Sequence, residues 1–200
     1  MRGRALRAGV LVGALATVLA GCGIRSTEVP TDFGPAPSRS ACLLSGDGLT
    51  SKSSSAVPVQ VYLVCGAQLV TVDRSVRIAT DKPTTDRVRI AQALLDQLAT
   101  SPSEAEEQAG FSTDVRGGTV VSGPRAGDPD DALRFSTRPE DLSSFALAQI
   151  VCTYASSAAA DGDRSVVLGG PGDDPLERYE CTPEVRARPG TEAPPSETVK

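Results

Sequence analysis

Residues 57–76 read VPVQVYLVC-GA-QLVTVDRSV, and their pattern decides the fold class. Val57, Val59, Val61, Leu63 and Cys65 recur at every second position, which predicts a half-buried strand rather than a helix face. Gly66-Ala67 interrupts the run as a two-residue turn. In Gln68 to Val76 the residues Leu69, Thr71 and Asp73 fall on one side, against Val70, Val72 and Arg74 on the other. Two alternating runs joined by two turn residues predict a β-hairpin.

Outward from the hairpin the period changes to that of a helix. Val88, Ala91, Leu95 and Leu98 fall on one helical face, with Arg89, Gln92 and Asp96 toward water and Thr85 or Asp86 as the cap. Ser101-Pro102 stops this helix. Ser103 with Glu106 forms a capping box for one more short helix. Gly110 ends that helix, and Phe111 is expected to plug the core. Thr119 to Ser122 and Ala132 to Ser136 predict short strands around an acidic turn, Gly127 to Asp131. A second long helix is predicted over Pro139 to Ser156, with Leu142, Phe145, Ala146, Ile150 and Thr153 along one side. Gln149 interrupts that stripe, so its amide needs a partner if it is buried. Ser165 to Leu168 is a last strand, and Tyr179 to Cys181 a weak edge. The order β-β-α-β-β-α-β predicts an α+β domain, with two helices on one face of a small mixed or antiparallel sheet.

The domain has an address. Arg2, Arg4 and Arg7 precede an apolar run, Ala8 to Leu19, and the run ends in Leu19-Ala20-Gly21-Cys22. About 20 apolar residues are needed to span a bilayer, so this run is too short. It has the size of a signal-peptide core, and small residues before a cysteine resemble a bacterial lipobox. That resemblance implies a leader over 1–21 and lipidation of Cys22 by a diacylglyceryl group and palmitate. Such an anchor would hold the protein on the outer face of the cell membrane. Residues 22–56, with Pro30, Pro35 and Pro37 and a serine-rich stretch, read as the lipidated cysteine and a flexible tether. The folded domain is expected over 57–181. Residues 182–200, rich in proline and without apolar period, read as a disordered tail.

Composition excludes several chemistries. The 200 residues contain no histidine and no tryptophan. No Ser-His-Asp or Cys-His pair is therefore available. Removing the leader's arginines leaves 17 basic and 25 acidic side chains, the opposite of a nucleic-acid binder. Asp128, Asp130 and Asp131, or Asp161, Asp163, Asp173 and Asp174, lack the ligand order of a calcium loop. Gly169-Gly170-Pro171-Gly172 lacks the Lys-Ser/Thr ending of a phosphate loop. No catalytic residue, metal or cofactor is expected.

Cys42, Cys65, Cys152 and Cys181 make an even set, and outside the cytoplasm that implies two disulfides. Three pairings are possible. Cys42 with Cys65 and Cys152 with Cys181 close the smaller loops. Cys65 with Cys152 is the rival, and four free buried thiols is the remaining alternative.

Two segments carry a family resemblance. Leu98 to Phe111 is similar to the Leu-Leu-x-Gly-Pro-Thr-x-x-Glu-x-x-x-Gly-Leu pattern of GerMN domains, with Pro102, Ser103, Glu106 and Gly110 on it. Ala148 to Thr153 is similar to that family's Gln-Ile-Val-x-Thr helix. Ala99, Ser101 and Phe111 depart from the pattern. GerMN domains occur in sporulation and germination proteins and in lipoproteins of Gram-positive bacteria. The resemblance implies an α+β domain without catalytic residues that works through protein contacts in the cell envelope. The expected function is therefore a membrane-anchored interaction module. It would meet an envelope protein through a sheet edge or through the loop containing Pro102, Glu106, Gly110 and Phe111. The alternative is a lipoprotein that binds a cell-wall fragment or small solute.

Overall fold

The hairpin forms as its alternation requires. β1 (Val57–Cys65) and β2 (Gln68–Val76) pair antiparallel from Cys65 with Gln68 to Val57 with Val76. Gly66 and Ala67 both take positive φ, +58° and +68°. That is the mirror-image turn whose twist matches the flanking strands. The structure, a computed structural model, describes Cys42, residues 57–76 and residues 83–199. The leader, Cys22 and most of the tether lie outside the described residues.

The first helix, α1 (Pro83–Ala99), begins before Thr85 and Asp86, so these two lie in its first turn rather than at its cap. Ala91, Leu94, Leu95 and Leu98 bury its inner face against Val61, Leu63 and Val72 of the hairpin. α2 (Glu104–Gln108) follows with the expected capping box, then β3 (Phe111–Ser112), β4 (Val121–Ser122) and β5 (Leu133–Phe135). The second long helix is shorter than its period predicts. Pro139–Asp141 is a separate 3-10 turn. The helix proper, α3 (Ser144–Ala155), starts at Ser143, whose hydroxyl accepts from the Ala146 amide. β6 (Ser165–Gly169), β7 (Leu176–Glu180), α4 (Pro183–Ala187) and β8 (Ser196–Val199) complete the chain.

The α+β class holds, but the single sheet expected from sequence is two sheets. One runs β2-β1-β3 and the other β4-β5-β6-β7-β8. The second is mixed: β5 and β6 are parallel, joined across α3, and the other pairs are antiparallel. The physical reason for the split lies on the free edge of β1. β3 pairs with only Val64 and Cys65. At Tyr62 the helix α3 takes over. The Tyr62 amide donates to Thr153 Oγ1 at 3.0 Å, and Gln149 Nε2 donates to the Tyr62 carbonyl at 2.9 Å. Two helix side chains thus satisfy the edge where a strand would otherwise pair. This gives the buried Gln149 the partner its place on the apolar stripe demands.

Two further expectations are corrected. Tyr179 to Cys181 was to be a weak edge, yet β7 lies between β6 and β8 and is paired on both sides. Residues 182–200 were to be disordered, yet 182–199 are folded. Thr182 caps α4 through the Val185 amide, and Pro183 occupies its first position. Val185 is 1% exposed and packs with Tyr62, Leu69, Ala148 and Cys152. Gly190 then lies on the Phe145 ring, so close that a Cβ there would stand 2.6 Å from it. The proline content that suggested disorder serves this wrapping segment instead: Pro189 and Pro194 are buried.

Candidate functional site

In the loop expected to meet a partner, Glu106 and Phe111 are buried, while Ser103, Glu104, Glu107, Gln108 and Gly110 are exposed. Ser103 and Glu106 exchange the two bonds of the capping box, at 2.6 and 3.3 Å. The Glu106 carboxylate also takes both Arg74 Nη2, at 2.9 Å, and Arg74 Nε, at 3.3 Å. Burial pushes the Glu106 carboxyl up. The hydrogen bonds from Arg74 and from the Ser103 amide, with the Arg74 charge, outweigh it and hold the group below its ordinary value. Arg74 Nη1 donates in addition to the Gln97 carbonyl near the end of α1. One arginine thus ties β2, α1 and α2 together. Phe111 is 4% exposed on β3, opposite Cys65. Gly110 has φ +86°, the backbone that lets the chain leave α2. Pro102 is half-buried. Glu106 and Phe111 are therefore corrected from contact candidates to internal locks: side chains this buried and paired are not available to a partner.

The cysteines pair as Cys42 with Cys65 and Cys152 with Cys181, with Cα atoms 5.9 and 4.9 Å apart. The Cys65–Cys152 alternative and the free thiols drop out. The first bridge fastens the chain before the domain to the last residue of β1. The second holds α3 to the start of the wrapping segment.

The acidic turns are separate salt links. Asp128 binds Arg134, Asp131 binds Arg178 and Asp161 binds Arg87. Asp163 accepts from the amide and hydroxyl of Ser165. Among the described residues no three Cys, Asp or Glu side chains gather as a metal site. Gly169-Gly170-Pro171-Gly172 is the β6–β7 connection, followed by a strand. A Cβ on Gly170 would meet Asp174 and Arg138, so close packing, not phosphate, explains that glycine.

A cleft of about 530 Å³ lies between the Asp114–Thr119 loop and the start of α3. Leu142, Ala146 and Ile150 line its apolar side, and Asp114, Thr119 and Ser143 are among its polar groups. No aromatic ring lines it. Asp114 is already engaged: its amide donates to Gln149 Oε1 at 2.9 Å and its carboxylate accepts from the Ser143 hydroxyl at 3.0 Å.

The feature most open to a partner is the outer edge of β2. The two-residue turn makes Cys65 and Gln68 a hydrogen-bonded pair, and pairing alternates from there. The amides and carbonyls of Leu69, Thr71, Asp73 and Ser75 therefore point away from β1. The orientation of Tyr62 toward α3 agrees, because Tyr62 stands opposite Thr71. Among the described residues no strand pairs with this edge. Natural edge strands are blunted by proline, a bulge, or charged side chains along the edge or pointing inward, of which β2 has Asp73 and Arg74. β2 has nine residues in unbroken register, no proline and no lysine, and its one arginine is turned to Glu106. A shallow groove of about 380 Å³ runs beside it, between Leu69 and Thr71 on one side and α4 on the other.

In structure, part of the chain is similar to the tandem GerMN domains of the sporulation protein GerM from Bacillus subtilis, at 19% identity and a TM-score of 0.43. The likeness covers 63% of this chain and 43% of that one, so the chain spans less than half of that structure's length. No family model matches the chain, and no curated protein matches it.

Proposed function

We propose that this protein is a lipid-anchored, extracytoplasmic interaction module of the cell envelope, which engages a protein partner by adding a strand to β2. The leader and Cys22 supply the anchor in this reading. The two disulfides support an oxidising compartment outside the cytoplasm. The observation that carries the interaction role is the edge of β2: nine residues, regular register and four outward amide–carbonyl pairs. Main-chain pairing of this kind provides affinity without a deep pocket. Within the Pro102–Phe111 loop, the buried Glu106 and Phe111 hold the domain together rather than face a partner. The role requires no catalytic group.

The test is crosslinking of the full protein in intact cells, followed by purification and mass spectrometry, for the wild type and Thr71→Pro. The Thr71 amide points outward, so proline there removes an edge donor without removing a ladder bond. One envelope protein enriched with the wild type and lost with Thr71→Pro is the expected result. An identical set of crosslinked proteins from both would refute docking on this edge.

A further inference from the structure

Building on the proposed edge docking, we infer that the groove between β2 and α4 selects an extended segment carrying an acidic side chain flanked by small apolar ones. Any strand added along Leu69, Thr71 and Asp73 directs alternate side chains to the face from which α4 rises. That face is not neutral. The groove is bounded by Tyr62, Leu69 and Thr71 on the sheet and by Pro183, Arg186 and Ala187 on the helix. Tyr62 and Leu69 are nearly buried and form an apolar floor. Pro183 and Ala187 form an apolar wall, and Arg186 is the cation in it. The neighbouring Arg188 is held by Glu192 at 3.2 Å. Arg186 donates its backbone amide to the Thr182 carbonyl; its charge helps to lower the Glu184 carboxyl on the same helix, but no described carboxylate stands at ion-pair distance from its guanidinium.

The geometry resembles a recurrent recognition mode, in which a peptide lies between a strand edge and a helix. The backbone provides affinity there, and the helix provides selectivity. α4 is anchored to the domain at two points. Val185 is inserted beneath it, and the Cys152–Cys181 bridge fixes the chain two residues before it. A carboxylate seated beside Leu69 and Thr71, away from Asp73, would stand at ion-pair distance from Arg186, closer than the Glu184 carboxyl on the same helix does. A lysine or arginine at the same position would meet the same guanidinium and be rejected.

The experiment uses two fluorescein-labelled peptides, Thr-Val-Thr-Glu-Thr-Val-Thr and its Lys-for-Glu counterpart. Their binding to the protein is followed by fluorescence anisotropy. In an extended chain the two valines share a face with the central charge, matching the apolar wall and Arg186. The glutamate peptide is expected to bind about fivefold more tightly than the lysine peptide, a typical upper value for an exposed ion pair. Arg186→Glu is expected to reverse that order, and Thr71→Pro to abolish binding of both. Circular dichroism of each variant verifies that it is folded. Equal affinities for the two peptides, an order unchanged in Arg186→Glu, or no binding of either would overturn the inferred selectivity. Binding that survives Thr71→Pro would overturn the edge reading itself, so the two failures are separable. A concentration-dependent dimer lost in Thr71→Pro would assign the edge to a second copy of the chain and overturn the acidic-segment inference.

Discussion

The least exposed charge pair described, Arg134 with Asp128, offers the sharpest test of how the second sheet is held. Their side chains are 6% and 10% exposed. Asp128 takes Arg134 Nε at 2.6 Å and Nη2 at 2.8 Å, a two-point contact. It also accepts from the Arg125 amide at 2.8 Å. Arg134 Nη1 donates on to the carbonyls of Gly170 and Asp174, at 3.2 and 3.0 Å. One guanidinium therefore fastens the 125–128 turn and the β6–β7 connection to the middle of β5. The bonds from Arg134 and from the Arg125 amide lower the Asp128 carboxyl from 3.8 to about 2. At roughly 1.4 kcal/mol per unit, that difference is worth about 2.5 kcal/mol of stability. The sign follows from the lowered value. The contribution is complete above about pH 5, where the carboxylate is ionised in both folded and unfolded chains. Between that value and pH 2 the unfolded chain binds the proton and the folded chain resists it, so the contribution is lost as pH falls. Asp128→Asn removes the charge and leaves Arg134 buried with a weaker acceptor. Urea denaturation followed by circular dichroism should give a deficit of about 2–3 kcal/mol at pH 7. That deficit should close as the pH approaches 2. A deficit equally large at pH 2 and pH 7, or none at pH 7, would refute the assignment of this energy to the Asp128 charge.

Other outcomes follow from the same packing. Gln149→Leu strips the Tyr62 carbonyl and the Asp114 amide of their buried partner. A loss of about 2–4 kcal/mol is expected, and Thr153→Val, which orphans one amide, should cost about 1–3 kcal/mol; denaturant melts check both. Replacing Cys152 and Cys181 together by alanine opens a loop with a sequence separation of 29. It should cost about 3.5 kcal/mol in the chain-entropy account, and peptide mapping without reduction should recover this pair and Cys42–Cys65 as the only crosslinked peptides. Gly190→Val drives a side chain into the Phe145 ring. It should free the wrapping segment and expose residues 188–195 to limited proteolysis, while the hairpin remains resistant.

Much of this protein was legible as sequence because the deciding interactions are local. The hairpin depends on period-two alternation and on two turn residues between the strands. The capping box of Ser103 and Glu106 closes within four residues. The apolar face of α1 repeats within single turns. Each is decided by residues that are neighbours in the chain, so reading along the chain finds it. The Thr182-Pro183-Glu184 start of α4 carried the same kind of local signal, a cap followed by proline at the first helical position, but the proline-rich composition around it masked that signal.

What only the tertiary structure decided involves partners far apart in sequence. Arg74 and Glu106 meet across 32 positions, and that meeting makes the Glu106 side chain an internal lock. Gln149 reaches Tyr62 across 87 positions, and with Thr153 it stops one sheet where a strand would have continued it. Gly190 reaches Phe145 only after the chain has folded back over α3. That β2 has an edge unpaired among the described residues is likewise a property of the whole fold, since an edge exists only once every other described strand has found its place. Local propensity specifies which elements form. Which backbone groups remain unpaired, and so which surface is left for a partner, is decided by burial and hydrogen bonding between elements that no short window of sequence contains.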